Sequence, residues 1–439
     1  MYKSIVKGLI VSALFCLGFT QGLIAGENFQ GKTLRVKLIG GAQYEPLYKE
    51  IAKWEAKTGA KVDIISRKNH FELDRELKQD IASGNINFCV ASNHTSFASQ
   101  YGTLYRDLNK IVPKDVLAGF VPLVLEHSTV NDRLVQLPRH SDVSNLYYIK
   151  DLYEDAKNKT RFKNKYGYDL MPPDTWKQVS DQAKFFSDPP NFYGTQYVGK
   201  DEAVTGRFYE MLVAEGGSLF DSKWRPTFNS PAGVRALNWF IDLYNANAVP
   251  KGVLNYLWGE TGAGFASGTV GLNLDWAGWA SYFNDPNSSK VANRIGILRA
   301  PKGSSGKRTG WSGSHTFSIT EACDMPEVAV SFIAFLTSHD SQMVEARKGL
   351  LPTRTKVWAD AIAEFKATNN TFLSDVFATY QVSMAEDAFT PPLIPEWIEI
   401  SNALWPNIQA AILGDKTAKE ALDDAAKKVV IVMEDGGYL

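Results

Sequence analysis

Ile295-Gly-Ile-Leu-Arg-Ala-Pro-Lys-Gly303, Gly310-Trp-Ser-Gly-Ser-His-Thr-Phe-Ser-Ile-Thr320 and Gly349-Leu-Leu-Pro-Thr-Arg354 form the stretch on which the reading of this chain turns. Residues 295–298 are apolar and β-prone, and Pro301 and Gly303 end the run. Phe317 and Ile319 alternate with Ser318 and Thr320, the pattern of a half-buried strand. Between the second and third segments, Val328, Phe332, Phe335 and Leu336 recur at helical spacing, which predicts a helix over 326–338.

Moving outward to the start of the chain, 32–39 reads as a strand. A helix follows over 45–57, with Leu47, Ile51 and Trp54 at helical spacing and Gly59 closing it. A second strand at 61–65, a helix at 73–82 ended by Ser83-Gly84, and a third strand at 88–91 complete a β-α-β-α-β block. Such a block pairs its strands in parallel through right-handed crossovers. Open α/β sheets bind ligands at the C-terminal ends of their strands. Here those ends are Gly40-Gly-Ala-Gln-Tyr44, Ser66-Arg-Lys68 and Ser92-Asn-His-Thr95. Farther on, a strand at 269–274 runs into Asp275-Trp-Ala-Gly-Trp279 in the same manner.

The order of these segments resembles the extracellular solute-binding proteins of family 1, the carbohydrate-type, maltose-binding-protein-like receptors of ABC importers. The matching pieces include Lys53-Trp-Glu-Ala-Lys-Thr-Gly59, Ala82-Ser-Gly84, Leu134-Val-Gln-Leu-Pro138 and Tyr147-Tyr-Ile-Lys-Asp-Leu152. Others are Pro172-Pro-Asp-Thr-Trp-Lys177, Glu215-Gly-Gly-Ser-Leu-Phe-Asp221, Phe335-Leu-Thr-Ser338 and Leu351-Pro-Thr-Arg354. The likeness runs from about Lys32 to about Val430. It implies an α/β, two-lobed periplasmic binding protein fold of type II, with discontinuous lobes and a ligand cleft at the hinge. The lobes are expected at 27–141 with 296–358, and at 142–295 with 359–439. Chain crossings are expected near 139–142, 293–297 and 355–361. The implied function is capture of a sugar between closing lobes and its delivery to an ABC permease in the inner membrane. The protein is expected to be a monomer that does no covalent chemistry.

The N-terminus fits that destination. Lys3 and Lys7 precede an apolar run over 8–19, and the small residues Ala25 and Gly26 follow. This is the build of a secretory signal peptide over 1–25, cleaved after Ala25 or Gly26, and it predicts a periplasmic protein. The run falls short of the ~20 residues that span a bilayer. Phe15 precedes Cys16 where a lipoprotein signal carries a small residue, so a soluble mature protein is the better reading. The roughly 410 residues beyond that segment exceed what one hydrophobic core serves. Only Cys89 and Cys323 remain there, which excludes a disulfide-built scaffold. One bridge stays open, but Cys89 lies in a strand-like run and free buried thiols are expected.

The 47 Lys and Arg balance 48 acidic residues, so nothing points to nucleic acid or to an anionic membrane. Nucleotide-binding glycine loops, His-Glu-x-x-His and a true nucleophile elbow are absent from the sequence. The six His are scattered along the sequence, so neither a metal nor a cofactor is expected. A secreted glycosidase would need two facing carboxylates, which no spacing singles out.

Sugar recognition asks for aromatic faces against the ring's CH groups and planar polar groups for its hydroxyls. Trp276, Trp279 and Trp311 supply faces. Gln43, Asn93, Asp142, Asp275 and Arg354 supply planar polar ends. Tyr44 either stacks or caps the first helix, and His94, His140 and His315 are available to hydroxyls. The expected ligand set is Gln43, Tyr44, Asn93, His94, Asp142, Asp275, Trp276, Trp311, Ser312, His315 and Arg354. Trp54, Trp239 and Trp405 fall in helical patterns and are assigned to the core. A polyol or a sugar phosphate is the alternative ligand, with Arg67, Lys68 and Arg139 as candidate phosphate partners.

Overall fold

The computed structural model describes residues 28–439, so the expected signal peptide lies outside the described residues. The strands that organise the molecule are β1 (Thr33–Ile39), β2 (Lys61–Lys68), β3 (Val90–His94), β4 (Leu137–Val143) and β5 (Asn145–Ile149). After them come β6 (Tyr193–Thr195), β7 (Val270–Asp275), β8 (Ile295–Arg299), β9 (Gly310–Ile319), β10 (Leu351–Pro352) and β11 (Ala388–Phe389). They form two sheets. The first runs β10-β4-β9-β3-β1-β2, with β11 beside the start of β9, and the second runs β8-β5-β7-β6. β1 pairs in parallel with β2 and β3, as the β-α-β-α-β pattern requires. β9 then lies antiparallel to both β3 and β4.

β9 differs from its sequence reading. All ten of its residues are buried, where alternation predicts one wet face. It sits between β3 and β4, and helices pack over it from the Thr95–Ala98 and Asp201–Ala214 segments. A central strand covered on both faces needs no alternation.

Local rules hold where capping chemistry is explicit. The Asn69 side chain accepts the Glu72 amide and starts helix His70–Ser83, and Gly84 ends that helix at φ 68°. Gly59 ends Ile51–Thr58 in the left-handed region at φ 76°. A glycine holds both positions because a Cβ is strained there. Thr175 makes the capping box with Gln178 at the start of helix Trp176–Phe186.

Each sheet has its own apolar core. Leu34, Val36, Trp54, Phe317 and Phe332 are among the residues under the first. Phe162, Phe208, Phe240, Trp397 and Leu422 are among those beside the second. Trp54 is buried, with its indole N–H on Ser331 Oγ at 3.1 Å. Ser144 alone separates β4 in the first sheet from β5 in the second. The return path lies between β8 and β9, because β8 pairs along its whole length with β5. The sheets therefore place 296–299 with the second unit, where the sequence reading assigns them to the first.

Cys89 and Cys323 are bridged, which corrects the expectation of free thiols. Register explains it. Val90 pairs with Ile319, so Cys323, just past the end of β9, returns to the residue preceding β3, and the Cα atoms lie 4.5 Å apart. Among the described residues no helix is long and apolar enough to cross a membrane.

Candidate functional site

The candidate site is built along one face of β9. Trp311, Gly313 and His315 alternate on that face, the two aromatic residues roughly 13 Å apart at a strand rise of ~3.3 Å. A different group of side chains gathers at each end of the row.

At the His315 end, the neighbouring strands and loops contribute imidazoles. His140 of β4 stands directly opposite His315 in the ladder, and the two rings are 4.9 Å apart. Asp142, two residues along β4, lies opposite Gly313, with Oδ2 3.2 Å from His140 Nδ1. His94, at the end of β3, places its ring 4.9 Å from His315, and His70 stands 6.0 Å from His315. Four of the chain's six histidines thus converge. A Cβ on residue 313 would stand 2.7 Å from His94 Nε2, so only glycine lets the ring settle against the strand. Tyr44 covers the group, its ring 5.7 Å from that of His140 and its hydroxyl 3.3 Å from His315 Nε2. Gln43 precedes it, and Asn93 Oδ1 accepts the His94 amide at 2.8 Å. Burial holds His70, His94 and His315 neutral. It lowers His70 to about 4 and, with repulsion from His70 and His140, His94 to about 3. His315 is driven well below its ordinary value by the same cause. Burial raises the Tyr44 hydroxyl far above 10.

Behind this end lies a buried ion pair. Arg139 is 1% exposed and donates through Nε and Nη2 to Glu345 Oε1, at 2.9 and 2.6 Å. Its guanidinium lies over the Tyr44 and Tyr48 rings, at 4.6 and 5.0 Å from their centroids. The sequence reading treats Arg139 as a surface charge or a phosphate partner. Its position on a central strand buries it instead. Arg67 pairs with Glu45, and Lys68 pairs with Glu76 at 3.0 Å, so all three candidate phosphate partners have an acid at hand.

The Trp311 end is apolar and cationic. The rings of Trp258, Trp276 and Trp311 meet edge to face, with centroids 5.1 to 6.0 Å apart. Arg207 lies 5.0 Å from both the Trp258 and Trp276 rings, pairs with Glu210 at 2.8 Å and donates to the Leu274 carbonyl. Glu210 in turn accepts the Trp311 amide at 3.0 Å and the Ser144 hydroxyl. One ion pair therefore ties helix Asp201–Ala214 to the chain crossing and to the start of β9. Gly206 on that helix is where the Trp311 ring lands, and a Cβ there would overlap the ring at 2.0 Å. Trp311 is 3% exposed, while Trp276 is half-buried. Asp275 is fully buried, accepts from Asn273, Thr261 and the Trp276 amide, and is raised to about 7 by burial.

The expected ligand set thus separates. Gln43, Tyr44, Asn93, His94, Asp142 and His315 gather at one end, and Asp275, Trp276 and Trp311 at the other. Ser312 alternates to the opposite face of β9. Arg354 belongs to neither group, which corrects its place in the set. It donates to the Val116 and Thr337 carbonyls and lies 4.0 Å from the Phe120 ring, where burial lowers it to about 10. Sequence reading missed His70, Trp258, Arg207 and Glu210. Arg207 and Glu210 stand at i, i+3 on a helix, a spacing that could have flagged the pair.

Two α/β units joined at Ser144 and through the β8–β9 loop, with a mixed aromatic and polar row between them, define a two-lobed binding protein. The chain belongs to the bacterial extracellular solute-binding protein family, whose model matches residues 40–343. It is similar to maltose-bound MalE3 of T. maritima, at 25% identity and a TM-score of 0.79, over 91% of this chain and 99% of that one. A D-mannitol-bound ABC transporter solute-binding protein of Agrobacterium vitis shares the fold, at 24% identity and a TM-score of 0.77, over 92% and 99% of the two chains. Among curated relatives, a mannitol-binding protein of Pseudomonas aeruginosa is 25% identical over 74% of this chain and 76% of its own. A "probable amino-acid ABC transporter periplasmic-binding protein" of Sinorhizobium fredii is 25% identical over 94% and 92%.

Proposed function

We propose that this protein is the periplasmic substrate-binding receptor of an ABC importer. It captures a small sugar between its lobes and presents it to permease subunits in the inner membrane. The observation that carries this reading is the row on β9. Indole faces stand at one end, and planar hydrogen-bonding groups at the other, beside the point where the chain passes between its sheets. Capture and release by hinge closure needs no covalent chemistry. The maltose-bound and mannitol-binding relatives support a polyhydroxylated solute, and the latter makes a linear polyol the second reading. The ion pairs at Arg67, Lys68 and Arg139 weigh against a phosphorylated ligand.

The test is a thermal-shift panel of mono- and disaccharides, linear polyols, their phosphates and amino acids, run in EDTA. A sugar or polyol should stabilise the protein by ~2.7 kcal/mol at a hundredfold excess over its dissociation constant. Stabilisation by amino acids alone would overturn the sugar reading.

A further inference from the structure

We propose that His140, Asp142 and His315 form a three-ligand site for a divalent transition-metal ion of the zinc, nickel or copper class. One donor atom from each residue lies within 4.8 Å of the other two, and all three residues are buried. They come from adjacent antiparallel strands. His140 faces His315 across the ladder, and Asp142 projects on the same side two residues on. No spacing in the sequence shows this, because 175 residues of chain separate the two histidines (315 minus 140).

The independent observation is that two of the imidazoles keep ring nitrogens without partners. His140 is 2% exposed; its Nδ1 faces the Asp142 carboxylate at 3.2 Å, and its Nε2 has no hydrogen bond. His315 is 8% exposed, and its Nδ1 has none. Imidazole nitrogens removed from water are ordinarily satisfied, and an ion between them would satisfy both rings at once. The Tyr44 hydroxyl can accept in the tautomer this requires. With Nε2–H of His315 donated to the Tyr44 hydroxyl at 3.3 Å, the Nδ1 lone pair is left for the ion, the usual role of an outer partner. His94 is not a ligand, because its Nδ1 accepts the Ser96 amide and its Nε2 therefore carries the proton.

Metal–nitrogen and metal–oxygen bonds of about 2.0–2.2 Å place donors of one tetrahedral shell roughly 3.3 Å apart. His140 Nδ1 and Asp142 Oδ2 already stand at 3.2 Å, and the other donor separations, within 4.8 Å, have to shorten as an ion binds. Two imidazoles and one carboxylate select borderline ions over magnesium or calcium. Three protein ligands leave the fourth position open, as at exchangeable rather than structural sites. The site shares His140, Asp142 and His315 with the polar end of the row on which the sugar reading rests, and a titration without sugar tests the ion by itself.

The experiment is calorimetric titration of EDTA-stripped full protein with Zn²⁺ and Ni²⁺ in the absence of any sugar. His140→Gln, His315→Gln and Asp142→Asn are titrated beside it. His339→Ala is the control, because His339 contacts Asp340 and Asp360 at the surface and could bind ions on its own. One ion per chain is expected, with affinity at least tenfold weaker in each of the first three variants and unchanged in His339→Ala. Zinc-edge X-ray absorption of the wild-type complex reads the shell directly and decides the matter if a variant fails to fold. Two imidazoles support the site. A shell with one imidazole, loss of binding in His339→Ala, or no tight binding overturns it.

Discussion

The two ends of the β9 row use the same anchor for different surfaces. Each has a buried Arg–Glu pair whose guanidinium lies over aromatic rings. Arg139–Glu345 sits beneath Tyr44 and Tyr48, and Arg207–Glu210 beneath Trp258 and Trp276. The Arg139 pair joins two segments far apart in sequence and backs a set of buried imidazoles. The Arg207 pair lies within one helix turn, and its carboxylate also holds the Trp311 amide and Ser144. A buried ion pair adds little net stability over an apolar replacement, but removing one partner leaves an uncompensated charge. These pairs therefore set positions more than they add stability, and what they position differs: polar groups at one end, indole faces at the other.

The largest effect should come from breaking an anchor. Arg207→Met leaves Glu210, which is fully buried, without its cation and should destabilise the protein by ~3–5 kcal/mol in urea unfolding. A change below ~1 kcal/mol would mean that Ser144 and the Trp311 amide satisfy Glu210 by themselves.

Two tryptophans of one cluster should separate recognition from folding. Trp276 is half-buried, so Trp276→Ala should weaken binding of the cognate sugar by ~2 kcal/mol, roughly thirtyfold, with a small change in apo stability. Trp311 is packed against Gly206, so Trp311→Ala should lower apo stability by ~3 kcal/mol or more. Calorimetry and melting on both variants check this. The reverse pattern would place Trp276 in the core and Trp311 on the ligand.

The pH effects carry opposite signs at the two ends. His70 titrates at about 4 when folded and near 6.5 when unfolded. The unfolded chain therefore takes up the proton first, and stability present above 6.5 is lost as pH falls toward 4. Asp275 is raised from 3.8 to about 7, so its contribution is present below about 4 and is lost as pH rises toward 7. Each group alters the slope by at most ~1.4 kcal/mol per pH unit. Urea melts in EDTA from pH 4 to 7.5 should show a flatter acid limb in His70→Gln. Asp275→Asn should retain more stability than wild type as pH rises. Parallel profiles in all three proteins would remove the electrostatic difference between the ends.

Much of the architecture was legible in the chain, because its signals are local. Gly59 and Gly84 end their helices where the residues say, whereas the helix read from 73 starts three residues earlier, at His70, on the Asn69 cap. The parallel β-α-β-α-β block follows from element order; Tyr44 and Trp276 follow β1 and β7, and His94 is the last residue of β3. Sequence alone thus determined the fold class and the strand ends where chemistry gathers. What it left open depends on which distant strand lies alongside. The pairing of β9 with β3 brings Cys323 to Cys89, and its pairing with β4 brings His140 and Asp142 to His315. The pairing of β8 with β5 assigns 295–299 to the second sheet. Arg139 and Arg354 read as surface or ligand groups by type alone, and only packing shows them committed to Glu345 and to backbone carbonyls. Capping and periodicity act within a few residues and are written in sequence order. Cross-strand register acts between residues far apart in the chain, so the histidine group and the disulfide were decided only when the sheets closed.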